Sequence, residues 1–291
     1  MDLLSLIKHK KVLILDGATG TQLAQRGAPA GGRANIEAPD TVTAVHRAYI
    51  DAGSDCVITN SFCMNRVYMK ANNFSVSVSD MNARAAELAR KAAGDRALVL
   101  GGFGPTGELL KPVGNITEAE CEEAFAEQAR ALADAGVDAF IVETMMDMNE
   151  AACAVRACKR NFKLPVIASM TYATTRDGGR TTMGHRAGGC ARILAAAGAD
   201  ILSCNCGDLD PAETAIIVSS YKNASDLPVL VEPNAGKPVL DDNNNAVYSM
   251  PPGEFAQGVL ECIRAGASLA GGCCGTTPDH IRALAEMAAS L

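Results

Sequence analysis

DAGVDAFIVETMMDMNEAACAVRACKRNFKLPVIASMTY, residues 134–172, decides the fold. An apolar run, AFIVETM at 139–145, gives way near Asn149 to an Ala-rich segment with helical spacing, and a second apolar run, PVIASMTY, follows at 165–172. Two short runs rich in Val and Ile, joined by an amphipathic segment, read as one β-α-β unit. A crossover of that length makes the two strands parallel.

The same alternation extends outward in both directions. Candidate strands are VLILDG at 12–17, CVITNSF at 56–62, ALVLGGFG at 97–104, AFIVETM, PVIASMTY, DILSCNC at 200–206, PVLVEPN at 228–234 and SLAGGCC at 268–274. Helix candidates follow them, beginning near Asp40, Ser79, Thr117, Asn149, Met183, Pro211, Pro252 and Pro278, several opened by a capping residue or by Pro in the first turn. Ala-Gly pairs ending at Gly53, Gly136, Gly198 and Gly266 punctuate helix ends just before strands. Eight evenly spaced units predict an α/β fold, a single (β/α)8 TIM barrel over residues 1–291, rather than a doubly wound open sheet. Such barrels routinely occupy a chain of this length as one domain.

Composition narrows the function. Apolar residues make up 48% of the chain, enough for a sizeable core. A net charge of -7, with no basic cluster larger than Lys8-His9-Lys10-Lys11, leaves no footprint for nucleic acid or an anionic membrane. The amino-terminal segment places its positive charges after its apolar residues, the reverse of a secretory signal. No stretch reaches the roughly 18 to 20 apolar residues that span a bilayer. These features predict a soluble cytoplasmic protein acting on small molecules. The eleven cysteines are then expected to be reduced. Cys121, Cys153, Cys158, Cys190 and Cys262 fall in helix-like segments and read as packing, as do Cys56 and Cys63 around the second strand.

In this architecture the reactive groups sit at the carboxyl ends of the strands. Those ends carry Asp16, Asn60, Glu143, Asn205 with Cys206, Glu232 with Asn234, and Cys273 with Cys274. Three sulfurs converging from the sixth and eighth strands suit zinc in tetrahedral geometry, with one position left for a substrate. A thiol entering that position loses its proton and becomes nucleophilic. Gly271, Gly272 and Gly275 around the cysteine pair let the backbone turn both sulfurs toward one centre, which a regular strand forbids. Cys204, two residues before Cys206, is expected on the same side and stays open as a ligand. Asp16 opens the Gly-rich turn DGATGT, 16–21, whose backbone N–H groups suit a carboxylate; Glu143 suits the ammonium of an amino-acid substrate. Asn60, Asn205, Glu232 and Asn234 read as groups that orient ligands. The loop 173–183, ATTRDGGRTTM, reads as a candidate lid.

With these residues in view, the chain resembles the homocysteine S-methyltransferase family, zinc barrels that also form the first module of cobalamin-dependent methionine synthase. The likeness runs through DGATGTQL (16–23), TNSF (59–62), VETMMD (142–147), Asn205-Cys206, EPNAGKP (232–238) and GGCCGTTPDHI (271–281). It implies that Cys206, Cys273 and Cys274 bind zinc, with Asn234 as fourth ligand before the substrate arrives. It also implies that Asp16, Gly17, Ala18, Thr19, Gly20, Thr21, Glu143 and Asn205 hold homocysteine. The chain departs from the family pattern at Ser203, where Gly is usual, and after Asn35-Ile36.

The methyl donor is read from what is missing. A betaine enzyme would cage a quaternary ammonium with aromatic faces, and this chain has no Trp and only 4% aromatic residues. A methylcorrinoid on a partner protein is the expected donor, with a small donor such as S-methylmethionine, or transfer to another small thiol, as alternatives. An aldolase-like Schiff base fails because no strand ends in Lys. A non-catalytic, zinc-stabilised binding subunit of a corrinoid complex would require a closed four-ligand site.

Overall fold

The computed structural model describes residues 2–242 and 246–291. Its strands are β1 (Leu13–Ile14), β2 (Cys56–Ile58), β3 (Leu98–Phe103), β4 (Ala139–Met145), β5 (Val166–Met170), β6 (Ile201–Asn205), β7 (Val229–Glu232), β8 (Val239–Leu240), β9 (Ala246–Val247) and β10 (Leu269–Ala270). Eight of them form one parallel sheet in the order β1-β10-β7-β6-β5-β4-β3-β2, while β8 and β9 pair as a small antiparallel hairpin beyond β7. The two ends of that order meet at a seam. There the Asp55 N–H donates to the Ile14 carbonyl at 2.7 Å, the Asp55 carboxylate accepts the Ile14 N–H at 2.8 Å, and the Asp16 carboxylate accepts the Ile58 N–H at 3.0 Å. Carboxylate oxygens thus replace ladder carbonyls where β1 and β2 splay, and the sheet becomes a nearly closed TIM barrel.

Asp55 belongs to a device that the chain repeats at 52–55, 135–138 and 197–200 as Ala-Gly-x-Asp. Gly53, Gly136 and Gly198 end their helices at φ of 109°, 81° and 105°, where a side chain would be strained. The Asp that follows donates its N–H into the ladder and accepts a strand N–H with its carboxylate: Ile14 for Asp55, Val99 for Asp138, Val166 for Asp200. Lys10, Arg90 and Lys159 neutralise the three carboxylates. The glycines are legible as punctuation; the role of the aspartates emerges only when neighbouring strands are in place.

Alternation along the strands separates two cores. Leu13, Leu15, Leu100, Ile141, Ile167, Ile201, Leu230 and Leu269 fill the barrel interior, and the helix Leu3–His9 packs Leu3, Leu4, Leu6 and Ile7 against them. Val142, Ala168, Leu202 and Val231 point outward into the layer of helices. Each aliphatic side chain buried this way contributes about 1.5–3 kcal/mol. Continuing along the same inward face toward the carboxyl ends, the residues turn polar: Glu143 after Ile141, Ser169 after Ile167, Asn205 after Ser203, Glu232 after Leu230. That change of layer is the floor of the site.

Seven of the eight helices start within a residue or so of their expected positions. The eighth, expected near Met183, begins at Ala187. Residues 173–186 form a pinned loop instead: Ala173 donates to Arg180 O and Arg180 to Thr174 O, both at 2.9 Å, Arg180 pairs with Asp177, and Ser220 donates to Gly178 O. The segment 173–183, read as a lid, is therefore tied to itself and to the helix Pro211–Lys222. Short helices at Leu3–His9, Arg33–Glu37 and Arg66–Ala71 lacked a periodic signal long enough to read. Among the described residues no helix is long and apolar enough to cross a membrane.

His46, on the helix Pro39–Asp51, is fully buried, and neither ring nitrogen has a partner among the described residues. Burial pushes its pKa down to about 4. The unfolded chain, at about 6.5, binds the proton first, so this side chain costs the fold stability as pH falls from 6.5 to 4. About 2 kcal/mol should be lost between pH 7 and pH 5, and His46→Leu should remove that part of the pH dependence in urea unfolding at the two pH values.

Candidate active site

Strand β6 delivers the first sulfur by breaking its own alternation. Leu202 and Cys204 face the helices, and Cys204 is buried there among apolar side chains. A regular strand would send Cys206 the same way, but Cys206 has φ 57°, which turns its side chain into the mouth. Cys204 is accordingly absent from the sulfur cluster, which consists of Cys206, Cys273 and Cys274. The expectation that Cys204 and Cys206 share a side is corrected by this one residue's backbone.

The other two sulfurs come from the turn after β10. Cys273 N–H donates to Pro233 O at 2.8 Å and Ala235 N–H to Cys274 O at 2.9 Å, so 233–235 and 273–274 run side by side past the ends of their strands. Thr276 bonds Cys273 O at 2.7 Å and receives the Ala18 N–H at 3.0 Å, locking the cysteine turn to the loop after β1. Gly17 is required by that approach, since a Cβ there would lie 2.6 Å from Thr276 Oγ1. Of the glycines around the cysteine pair, only Gly275 needs positive φ, at 79°. Gly271 and Gly272 instead admit close neighbours, Asp16 O and Thr276.

Cys206 Sγ lies 3.8 Å from Cys274 Sγ, and Cys273 Sγ lies 4.0 Å from Cys274 Sγ. A zinc–sulfur distance of about 2.3 Å in a tetrahedron requires sulfur–sulfur edges of about 3.8 Å. Two edges come close to that length and all three sulfurs lie within 4.8 Å of one another, a set that could hold a zinc ion. Hydrogen bonds from Cys206 and Cys273 hold the Cys274 thiol well below its usual range, at about 3, so one thiolate is favoured within the cluster. Asn234 is fully buried beside it; its Nδ2 donates to Gly207 O at 2.9 Å, while Oδ1 has no partner among the described residues. An unpaired buried carbonyl is costly and suits a ligand position.

A cavity of about 440 Å³ opens over the sulfurs, lined by residues 16–21, Gly31, Ile58, Thr59, Asn60, Phe62, Glu143, Thr144, Asn205, Cys206, Glu232, Gly272, Cys273 and Cys274. All the site residues expected from sequence except Asn234 line it. The stretch read as a Gly-rich turn is partly helical: Thr19–Gln25 is a helix, and Thr19, Gly20 and Thr21 form its first turn. N–H groups in a first turn have no partner within their helix.

Asp16, Glu143 and Glu232 share this mouth. Burial raises the Asp16 carboxyl to about 8 against the opposing bond from the Ile58 N–H. Burial and the Asp16 charge raise Glu143 to about 8 as well. Glu232 is raised by burial and by both neighbours, and its Oε2 has no partner among the described residues. Three crowded carboxyls with no basic side chain among the lining residues favour a cationic guest. Asn205 ties the floor together, accepting from Thr144 N–H at 2.9 Å and Ser169 Oγ at 2.6 Å, and donating to Thr144 Oγ1 at 2.8 Å and toward Cys273 Sγ at 3.8 Å.

Thr276 and Tyr248 were not singled out from sequence. Tyr248, well past the end of β7, packs its Cβ and ring against Gly275, next to the cysteine pair. No strand end marks it.

The family model for homocysteine S-methyltransferase matches residues 13–288. This chain belongs to the homocysteine S-methyltransferase family. It is 32% identical to the methionine synthase of Mycobacterium tuberculosis over 311 residues, covering 100% of this chain and 26% of that protein. The Mycobacterium leprae methionine synthase is also 32% identical, over 96% of this chain and 24% of its own length. The chain thus spans about a quarter of the length of these relatives. Among solved structures it is similar to the homocysteine methyltransferase MmuM from Escherichia coli in its metallated form, with TM-score 0.79, 25% identity and coverage of 97% of this chain and 98% of that one. The carboxyl transferase domain of Rhizobium etli pyruvate carboxylase, at 14% identity and TM-score 0.57, shares the fold alone.

Proposed function

We propose that this chain methylates the thiol of L-homocysteine to give methionine, using zinc held by Cys206, Cys273 and Cys274. The observation that carries this reading is the cluster of three sulfurs within 4.8 Å of one another at the floor of a mouth that also holds Asp16 and Glu143. When bound, the ion supplies a Lewis acid that makes an incoming thiol a thiolate at neutral pH. Asn234 Oδ1 is the fourth ligand before substrate arrives. Asp16 and Glu143 take the substrate ammonium, and backbone N–H groups within Gly17–Thr21, other than the Ala18 N–H that Thr276 holds, take its carboxylate. Asn205 keeps Thr144 and Cys273 in register, so the substrate thiol is placed for in-line attack on the methyl carbon.

The donor is a methylcorrinoid on a partner protein. Among the described residues, Phe62 is the one aromatic side chain lining this cavity, which gives a quaternary ammonium no cage. The length that the methionine synthases carry beyond the matched region supports a protein-borne donor. Zinc content measured with the metal's X-ray absorption spectrum, without and with L-homocysteine, tests the proposal. Three sulfurs and one nitrogen or oxygen ligand should become four sulfurs on adding the thiol. A site with four sulfurs before any thiol is added would favour the stabilising role instead, and a reduced protein that takes up no zinc would refute the assignment.

A further inference from the structure

The loop after β1 and the cysteine turn after β10 are clasped together. Gly272 N–H donates to Asp16 O at 3.0 Å, and Gly275 N–H donates to Thr21 Oγ1 at 3.3 Å. Thr276 adds the tightest tie. It is fully buried, and its hydroxyl donates to Cys273 O at 2.7 Å while accepting the Ala18 N–H at 3.0 Å. The Tyr49 hydroxyl, on another fully buried residue, donates to Thr276 O at 3.1 Å. Packing leaves Thr276 no slack: a Cβ on Gly272 would lie 2.6 Å from its Cγ2, as one on Gly17 would from its Oγ1. One hydroxyl thus joins residues 258 positions apart in the chain and fixes the separation of their two segments.

Those segments serve opposite ends of one guest. On the proposed function, Cys273 and Cys274 hold the metal that takes the thiol, while Asp16 and residues 17–21, with Glu143 on β4, take the amino-acid group. A guest gripped at both ends is selected by its length when the grips cannot approach each other. L-Cysteine carries the same thiol, ammonium and carboxylate as L-homocysteine on a chain one methylene shorter. It reaches both grips only if turn and loop draw together by about 1.5 Å, the length of a carbon–carbon bond. A misplacement of about 1 Å in a bound guest costs about a hundredfold.

We propose that Thr276 is a positioning residue that sets chain-length selectivity, holding the cysteine turn and the β1 loop at the spacing that fits L-homocysteine and not L-cysteine. This role rests on the proposed assignment of the two segments as metal and amino-acid grips. The test replaces Thr276 with Val, which keeps its shape and removes both hydroxyl bonds, and with Ser, which keeps the hydroxyl. In the cobalt(II)-substituted proteins, growth of the sulfur-to-metal charge-transfer band on adding each thiol gives its Kd. Wild type should bind L-homocysteine about a hundredfold more tightly than L-cysteine. Thr276→Val should cut that ratio by about tenfold, with metal content unchanged, and Thr276→Ser should restore it. Thr21→Val, which loosens the clasp at Gly275 and leaves Thr276 in place, should narrow the ratio too, and it carries the test if Thr276→Val does not fold. A wild-type ratio in the folded variants would overturn the role. So would equal weakening of both thiols, or loss of cobalt from Thr276→Val, which would make Thr276 a support of the metal alone. A wild-type protein that takes up no cobalt, or whose band ignores L-homocysteine, would instead refute the proposed function and this role with it.

Discussion

Cys273→Ala should yield a folded barrel that no longer holds zinc and no longer methylates homocysteine. The fold is insulated because the Cys273 backbone, not its sulfur, carries the ties to Pro233 and Thr276. Removing Sγ opens a small gap at a solvent-facing mouth rather than a core cavity, so unfolding temperature should move by only a few degrees. The metal is not insulated. Zinc held by four ligands in small domains is worth about 10–16 kcal/mol, or about 2.5–4 kcal/mol per ligand. Losing one of three cysteines should therefore weaken binding by roughly a hundredfold to several hundredfold. Turnover should fall at least as far, since an unactivated thiol is largely protonated at neutral pH. Metal analysis after dialysis against a weak chelator, with circular dichroism as the folding control, checks both halves. Stoichiometric zinc in the folded variant would exclude Cys273 as a ligand.

Why that residue was visible in the sequence, and others were not, follows from what fixes each position. Cys273 and Cys274 sit among Gly271, Gly272 and Gly275 at the end of the last apolar run, so strand position and backbone freedom pointed the same way. Cys206 was found for the same reason, but its relation to Cys204 was misjudged. Period-two alternation holds only while φ stays extended, and nothing in SCNCG announces φ 57° at the second cysteine. Asp16 was read as a substrate residue; its bond to Ile58 across the seam depends on strands that are 42 residues apart in the chain. Tyr248 lies in a long connection whose path is decided by contacts with Gly275 and Ala235, so no local pattern reveals it. The barrel itself was legible because eight strand-helix units repeat one hydrophobic rhythm. The parts that were not legible are those set by a single backbone angle or by a partner distant in sequence.

Glu143→Gln should leave the zinc and the thiol chemistry intact while removing the site's grip on the amino group. In the free protein, burial and the Asp16 charge raise Glu143 to about 8, so near neutral pH this carboxyl is largely protonated. An arriving ammonium reverses the balance: it displaces the proton and pairs with the carboxylate. The wild-type protein should therefore release protons on binding homocysteine at pH 7, and the KM should fall as pH rises toward 8. Gln has no proton to exchange and no charge to offer. Loss of one partner from a desolvated charge pair costs about 2–5 kcal/mol, so KM should rise by roughly a hundredfold or more with a smaller change in kcat. The decisive comparison is with 4-mercaptobutanoate, which keeps the thiol and the carboxylate but lacks the amine. Wild type should prefer homocysteine over this analogue strongly, and Glu143→Gln should erase most of that preference without slowing the analogue. Asp16→Asn should weaken homocysteine binding too, but with an added loss of stability, because Asp16 also closes the β1–β2 seam through Ile58. If the Glu143→Gln variant slowed both thiols equally, Glu143 would be shaping the sulfur site and not reading the ammonium.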